Sequence, residues 1–140
     1  MKAVLGLGNA LKQDDNIGNI IATELQGRIE DVRFFVAGTA PESFLHQIKT
    51  LNPSILFILD AAEFDGELGD IRLLSLEEIS ERKASTHNIP MSFFEKFLPG
   101  ELKVIGIKVK STAFGMGLSS EIKDQVPALK NKVLEIITQD

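Results

Sequence analysis

Residues 55–62 read Ile55-Leu-Phe-Ile-Leu59-Asp60-Ala61-Ala62, and this stretch decides the fold. Five apolar residues run together without alternation, which suits a strand covered on both faces. Such strands belong to sheets sandwiched between helices, and those sheets are mostly parallel. The run is expected to end at Asp60, an acidic group at the carboxyl end of a central strand. Open α/β sheets bind their ligands beyond those ends.

Working outward, residues 2–7 form a short apolar run that stops at Gly8-Asn9 and reads as a first strand. Ile17, Ile20, Ile21 and Leu25 then recur at helical spacing, with Gly27 as the stop. Residues 32–37 read as a second strand. Thr39-Ala-Pro-Glu42 has the spacing of a capping box, opening a helix with Phe44, Leu45, Ile48 and Leu51 on one face. Gly69 to Leu74 follows Asp60 too closely for a helical crossover, so it is expected to be an antiparallel edge strand. Pro90 before Phe93, Phe94 and Phe97 suggests a short helix. Leu102 to Val109 reads as the last strand. Ile122, Val126, Leu129, Val133, Ile136 and Ile137 mark a closing helix containing Pro127. The expected fold is a three-layer α/β/α sandwich in one domain, residues 1–140, around a twisted, mostly parallel five-stranded sheet with one antiparallel edge.

Composition narrows the function classes. The chain has 140 residues, 44% hydrophobic and 25% charged, as in ordinary globular domains. Fifteen Lys and Arg against 20 Asp and Glu leave a net charge of −5, a poor balance for gripping nucleic acid. There is no cysteine, which excludes disulfides, thiolate metal sites and a Cys nucleophile, and agrees with a reducing cytoplasm. No apolar run approaches a membrane span, and the N-terminus reads as a strand rather than a signal peptide.

Several enzyme signatures are missing. Gly6-Leu-Gly8-Asn9-Ala10-Leu11 begins like a dinucleotide fingerprint but has Leu11 at the third glycine and no acidic residue closing the second strand. There is no phosphate loop, no Gly-x-Ser-x-Gly elbow and no His-Glu-x-x-His. What stands out is acidic. Asp14-Asp15 lies at the start of the first helix, where one Asp suffices as an N-cap and the second is free to face the strand ends. Asp60 faces the same edge. Glu63 and Asp65 sit in a solvated turn at Asp65-Gly66 and are weaker candidates. Of the two histidines, His46 is off the apolar face of its helix, whereas His87 lies in the polar loop Ser85-Thr-His87-Asn88. Two carboxylates and one imidazole would make an N/O site suited to a divalent ion such as nickel or zinc.

Taken together, Gly6-Leu-Gly8-Asn9, Asp14-Asp15-x-x-Gly18, Gly38-Thr-Ala-Pro-Glu42, Leu59-Asp60-Ala61 and Ser85-Thr-His87-Asn88 resemble the hydrogenase maturation endopeptidases in order and spacing. Gly106-Ile107 and Gly117-Leu118-Ser119 add to the likeness. The resemblance implies a phosphorylase/hydrolase-like sandwich and a protease, expected in the cytoplasm. A monomer is expected because burial against its own sheet accounts for the apolar face of the closing helix. It further implies a substrate, the large-subunit precursor of a [NiFe]-hydrogenase, from which a C-terminal extension is removed once nickel is in place. The family's metal-binding and catalytic trio maps onto Asp15, Asp60 and His87, with nickel presented by the precursor.

The chain departs from the family pattern at three places. Asn16 replaces a glycine after the acidic pair. Val36-Ala37-Gly38 stands where Asp-Gly-Gly is usual, so an acidic strand end is lost. Gly106-Ile-Lys-Val109 stands for Gly-Ile-Gln-Pro. Two other readings stay open at this point. One is a non-catalytic module that binds the precursor without cutting it. The other is a peptidyl-tRNA hydrolase-like enzyme, which shares Gly-Leu-Gly-Asn but expects a His-Asn pair after a short loop that is absent here.

Overall fold

A computed structural model describes residues 1–75, 78 and 95–139. Its described elements are β1 (Lys2–Leu7), α1 (Ile17–Leu25), β2 (Val32–Gly38), α2 (Leu45–Leu51), β3 (Ile55–Ala62), β4 (Ile71–Leu74), β5 (Glu101–Lys108) and α3 (Ser120–Gln139). Of the short helix expected after Pro90, residues 95–97, including Phe97, are helical, while Pro90, Phe93 and Phe94 lie outside the described residues.

The five strands form one sheet in the order β2-β1-β3-β5-β4. β1 pairs in parallel with β2 and β3, β3 pairs in parallel with β5, and β4 closes the edge antiparallel to β5. The expected mostly parallel sheet with one antiparallel edge is therefore observed. β3 sits in the middle, and all eight of its residues are buried. That explains its apolar composition, interrupted only at Asp60, since each side chain has a helix layer to pack against whichever way it points. Burying one of its large side chains, such as Phe57, contributes about 2–3 kcal/mol before the entropy of ordering is subtracted.

The two faces have separate cores. On one, Val4, Phe57, Leu59 and Ile105 meet Ile17, Ile21 and Leu25 of α1 and Ile122, Leu129, Val133 and Ile137 of α3. On the other, Leu5, Leu7, Leu56 and Ile58 meet Ile48 of α2, with Phe44, Leu45 and Leu51 packed at its margin. The apolar face expected of α3 is the buried one, and Pro127 lies inside that helix. In α1 the expected stripe needs one change: Ile20 is only half-buried and Ala22 is fully buried in its place.

Two local expectations are corrected. Thr39 to Glu42 does not form a capping box. Pro41–Phe44 folds as a 3₁₀ turn whose N-cap is Ala40, without a side-chain cap, and α2 starts only at Leu45. Pro41 fixes a tight backbone and leaves Thr39 one residue outside the turn. Nor does β3 end at Asp60. It continues to Ala62 because β5 keeps pairing with it as far as Ala62 and Lys108.

Candidate active site at the carboxyl ends of the central strands

That continuation defines the place of Asp60. The last β1–β3 pair is Gly6 with Leu59, while Asp60 is still paired with Gly106 of β5. Asp60 thus stands one residue past the end of its β1 pairing, fully buried, beside the mouth left where β1 stops. By strand alternation it shares a face with Leu56, Ile58 and Ala62.

The chain leaving β1 folds over this mouth. Gln13–Asn16 makes a 3₁₀ turn that packs against β3 and leads directly into α1. The close approach depends on Gly18. A Cβ there would lie 2.1 Å from the Leu59 carbonyl oxygen and 2.5 Å from that of Leu7. Only glycine lets the first turn of α1 rest on the ends of β1 and β3 together. Gly6 serves the same packing from the strand, since its Cβ would meet Ala22 Cβ at 2.6 Å.

Asp15 is buried in this turn and accepts a hydrogen bond from the Asn9 backbone N–H at 3.1 Å. Asp15 and Asp60 are therefore both buried near the carboxyl ends of the adjacent parallel strands β1 and β3. His87 lies outside the described residues. Among the described residues no cluster of three His, Cys, Asp or Glu side chains forms a metal site.

Asp14 has a different occupation from the N-cap foreseen for one member of the pair. α1 begins at an Asn16 cap with no side-chain hydrogen bond. Asp14, fully buried, instead reaches across the sheet end to the segment after β5. Its Oδ1 accepts the Ser119 N–H at 2.7 Å. Its Oδ2 accepts the Lys110 and Ser111 N–H groups, each at 3.1 Å, and the Ser119 hydroxyl at 2.8 Å. Four donors converging on one carboxylate satisfy its charge without a cation. Ser119 also receives the Ile122 N–H at 3.4 Å, so it caps α3 while holding Asp14.

Asn19 is a residue that sequence reasoning missed. Its amide donates to the Gly8 carbonyl at 2.8 Å and accepts the Gly38 N–H at 3.1 Å. It ties the end of β1 to the end of β2 from within α1. The helical stripe gave no signal for it, since at about 100° per residue Asn19 falls on the side away from Ile17, Ile21 and Leu25. Gly38 has a φ of +62° and its carbonyl accepts the Gly8 N–H at 2.9 Å. Gly38, the residue of Val36-Ala37-Gly38 that keeps the family's glycine, is thus tied to both Asn19 and Gly8.

Both weaker acidic candidates, Glu63 and Asp65, are exposed, as is His46. Farther round the rim, Glu121 opens α3 and meets the Lys110 ammonium and the Ser120 hydroxyl. These partners, Lys110 first, lower its pKa from 4.5 to about 2.

Comparison with known proteins agrees with this geometry. The sequence profile of the family described as hydrogenase maturation protease matches residues 20–136. A putative hydrogenase maturation protease of Methanocaldococcus jannaschii is 30% identical, over 97% of this chain and 88% of its own length. The chain belongs to the hydrogenase maturation protease family. The hydrogenase 3 maturation protease of Escherichia coli K12 is 27% identical, over 93% of this chain and 86% of its own. The crystal structure of the [NiFe] hydrogenase maturation protease HycI from Thermococcus kodakarensis superposes with a TM-score of 0.81 at 26% identity. It covers 98% of this chain and 92% of that one. Family membership makes this chain a peptidase of the hydrogenase maturation type and turns the reading away from peptidyl-tRNA chemistry. Among the described residues, no helix is long and apolar enough to cross a membrane.

Proposed function

We propose that this maturation protease is a nickel-dependent endopeptidase. Its substrate is the nickel-loaded large-subunit precursor of a [NiFe]-hydrogenase, and its product is that subunit without its C-terminal extension. The observation that carries the proposal is the pair of buried carboxylates, Asp15 and Asp60, at the mouth where β1 stops short of β3. Carboxylate oxygens and an imidazole suit a borderline divalent ion, and His87 supplies the imidazole of the trio. The nickel is part of the substrate: it arrives with the precursor, so an unloaded precursor lacks what the two carboxylates recognise. A divalent ion held there would polarise the scissile carbonyl or acidify a bound water.

In the hydrolysis, water adds to the scissile carbonyl carbon and the C–N bond breaks. Asp15 or Asp60 takes the proton from the water, and the departing amine gains one. Burial of Asp15 within the Gln13–Asn16 turn and of Asp60 on β3 keeps bulk water from competing for them.

The test is the intact mass of the large-subunit precursor after mixing with this protein, with and without nickel loaded. Loss of one discrete C-terminal peptide is expected only from the loaded precursor, and Asp15→Ala or His87→Ala should abolish it. An unchanged mass with a verified, loaded precursor would overturn cleavage, and a stable uncut complex would identify a binding module.

A further inference from the structure

The segment after β1 and the segment after β5 are joined into a double loop beside Asp15. Lys12 and Gly115 form a backbone bridge. The Gln13 N–H donates to the Gly115 carbonyl at 3.1 Å, and the Gly115 N–H donates to the Leu11 carbonyl at 2.9 Å. The Asp14 N–H donates to the Ser111 carbonyl at 3.0 Å, and the Asp14 carboxylate clamps Lys110, Ser111 and Ser119 from below. Both chains are thus fixed by their own backbone and by a buried charge.

Three large apolar side chains nevertheless face solvent on this double loop: Leu11 at 59% exposure, Phe114 at 81% and Met116 at 79%. Isolated exposed apolar residues are ordinary, but three on one anchored rim are not scattered. A floppy loop could fold such side chains away, whereas this one is tied down in at least five places. Aromatic residues and Met are the types enriched where protein partners bury surface, Met because it adapts to irregular shapes. The rim also adjoins the chemistry. The Asp15 N–H donates to the Lys12 carbonyl at 3.0 Å, one turn from the bridge to Gly115. The Lys12 ammonium lies 5.5 Å from the centre of the Phe114 ring, giving the apolar rim one cationic edge.

We infer that Leu11, Phe114 and Met116 form the docking surface for the polypeptide substrate immediately beside its scissile bond. The occupant is a segment of the protein substrate that is apolar over the three side chains and neutral or acidic where it meets Lys12. This inference rests on the endopeptidase reading of the same site. An endopeptidase must hold the chain on at least one side of the bond it cuts, and this exposed apolar rim is carried by backbone tied directly to Asp15. Because the contact would be kept in the ground state and the transition state alike, it should act on binding rather than on the chemical step.

The experiment compares wild type with Phe114→Ser/Met116→Ser, with Leu11→Ser, and with Leu73→Ser as an exposed apolar control on β4. Each is assayed for cleavage of the loaded precursor. Its affinity for the same precursor is measured separately in an Asp15→Asn background. The expected result for the double variant is a rise in KM and Kd on the order of tenfold or more at a similar kcat, as for loss of interface anchors. Leu11→Ser should move the same two constants in the same direction by less, and Leu73→Ser should move neither. Unchanged KM and Kd in the double variant, with wild type cutting normally, overturn the docking surface and leave the endopeptidase reading intact. A lost self-association with unchanged KM also overturns it, assigning the rim to a second copy of the chain. A wild type that never cuts the loaded precursor removes the endopeptidase reading, and the docking inference goes with it.

Discussion

α1 and α2 do the same topological job, each carrying the chain between parallel strands, yet they are built to opposite standards. α1 buries Ile17, Gly18, Asn19, Ile21, Ala22 and Leu25 within nine residues. Each is reached through a 3₁₀ turn, but α2 has only seven residues and buries Ile48 alone. Between α2 and the edge strand β2 runs an open groove of about 420 Å³ lined by Arg33, Phe35, His46, Gln47, Thr50 and Leu51. α1 is seated directly on the strand ends, because Gly18 brings its backbone down onto Leu7 and Leu59. The difference teaches where precision is needed: the crossover that begins with Asp14 and Asp15 is locked to the sheet, and the one that carries no candidate ligand is only laid on it.

The strongest way to break this comparison is Gly18→Ala. Alanine in a helix interior gains about 1 kcal/mol over glycine from propensity alone. Here the added Cβ meets two backbone carbonyl oxygens that belong to the sheet and cannot rotate away. The steric term should win, for a net loss of about 4 kcal/mol or more. His46→Ala, on the exposed side of α2, should cost no more than about 0.5 kcal/mol. Urea unfolding of both variants at neutral pH checks this. If Gly18→Ala lost under about 1 kcal/mol, α1 would be no more tightly seated than α2.

Asp14→Asn sharpens the comparison at a smaller scale. Both carboxylate oxygens accept N–H groups, so an amide in either orientation turns its own donor toward at least one of Lys110, Ser111 and Ser119. A buried donor–donor conflict with loss of a charged acceptor should cost about 2–3 kcal/mol. Hydrogen exchange should quicken at the Ser111 and Ser119 amides ahead of those in β3. Unchanged protection there would mean that the clamp is incidental and that the backbone bridge alone holds the double loop.

The sheet and the place of Asp60 were legible because they rest on local pattern. Ile55 to Leu59 has no polar face, so its strand had to be covered on both sides, and the short spacing to Ile71 forced an antiparallel edge. Asp15 was legible as position, one short loop beyond a strand end. What could not be read was pairing at a distance. Asp14 and Ser119 are separated by 105 residues, and no periodicity within either segment refers to the other. The Thr39–Glu42 misreading has the converse cause. A four-residue spacing was present, but the backbone around Gly38 and Pro41 moved the helix start to Leu45 and made Ala40, not Thr39, the cap of the 3₁₀ turn before it. His87 was read as the third member of the site from its polar loop and the family likeness, and it lies outside the described residues.

The smallest expected effect concerns Glu121, which holds the same double loop from the solvent side while Asp14 holds it from the core. Its pKa is lowered from 4.5 to about 2, chiefly by the Lys110 ammonium and next by the Ser120 hydroxyl. A carboxylate with a depressed folded pKa adds stability above its unfolded value. That contribution fades as the pH falls from about 4.5 toward 2 and is gone below it. Wild type should therefore be slightly more stable than Glu121→Gln at pH 6, and the two melting curves should converge over that acid window. The pair is exposed, so added salt should shrink the difference at pH 6. Melting series at several pH values, with and without added salt, measure both effects. A gap that stayed constant from pH 6 to pH 2 would show that Glu121 acts by packing on α3 rather than by charge. The buried Asp14 would then be the electrostatic half of the clasp, and the α1 side would owe its rigidity to the interior alone.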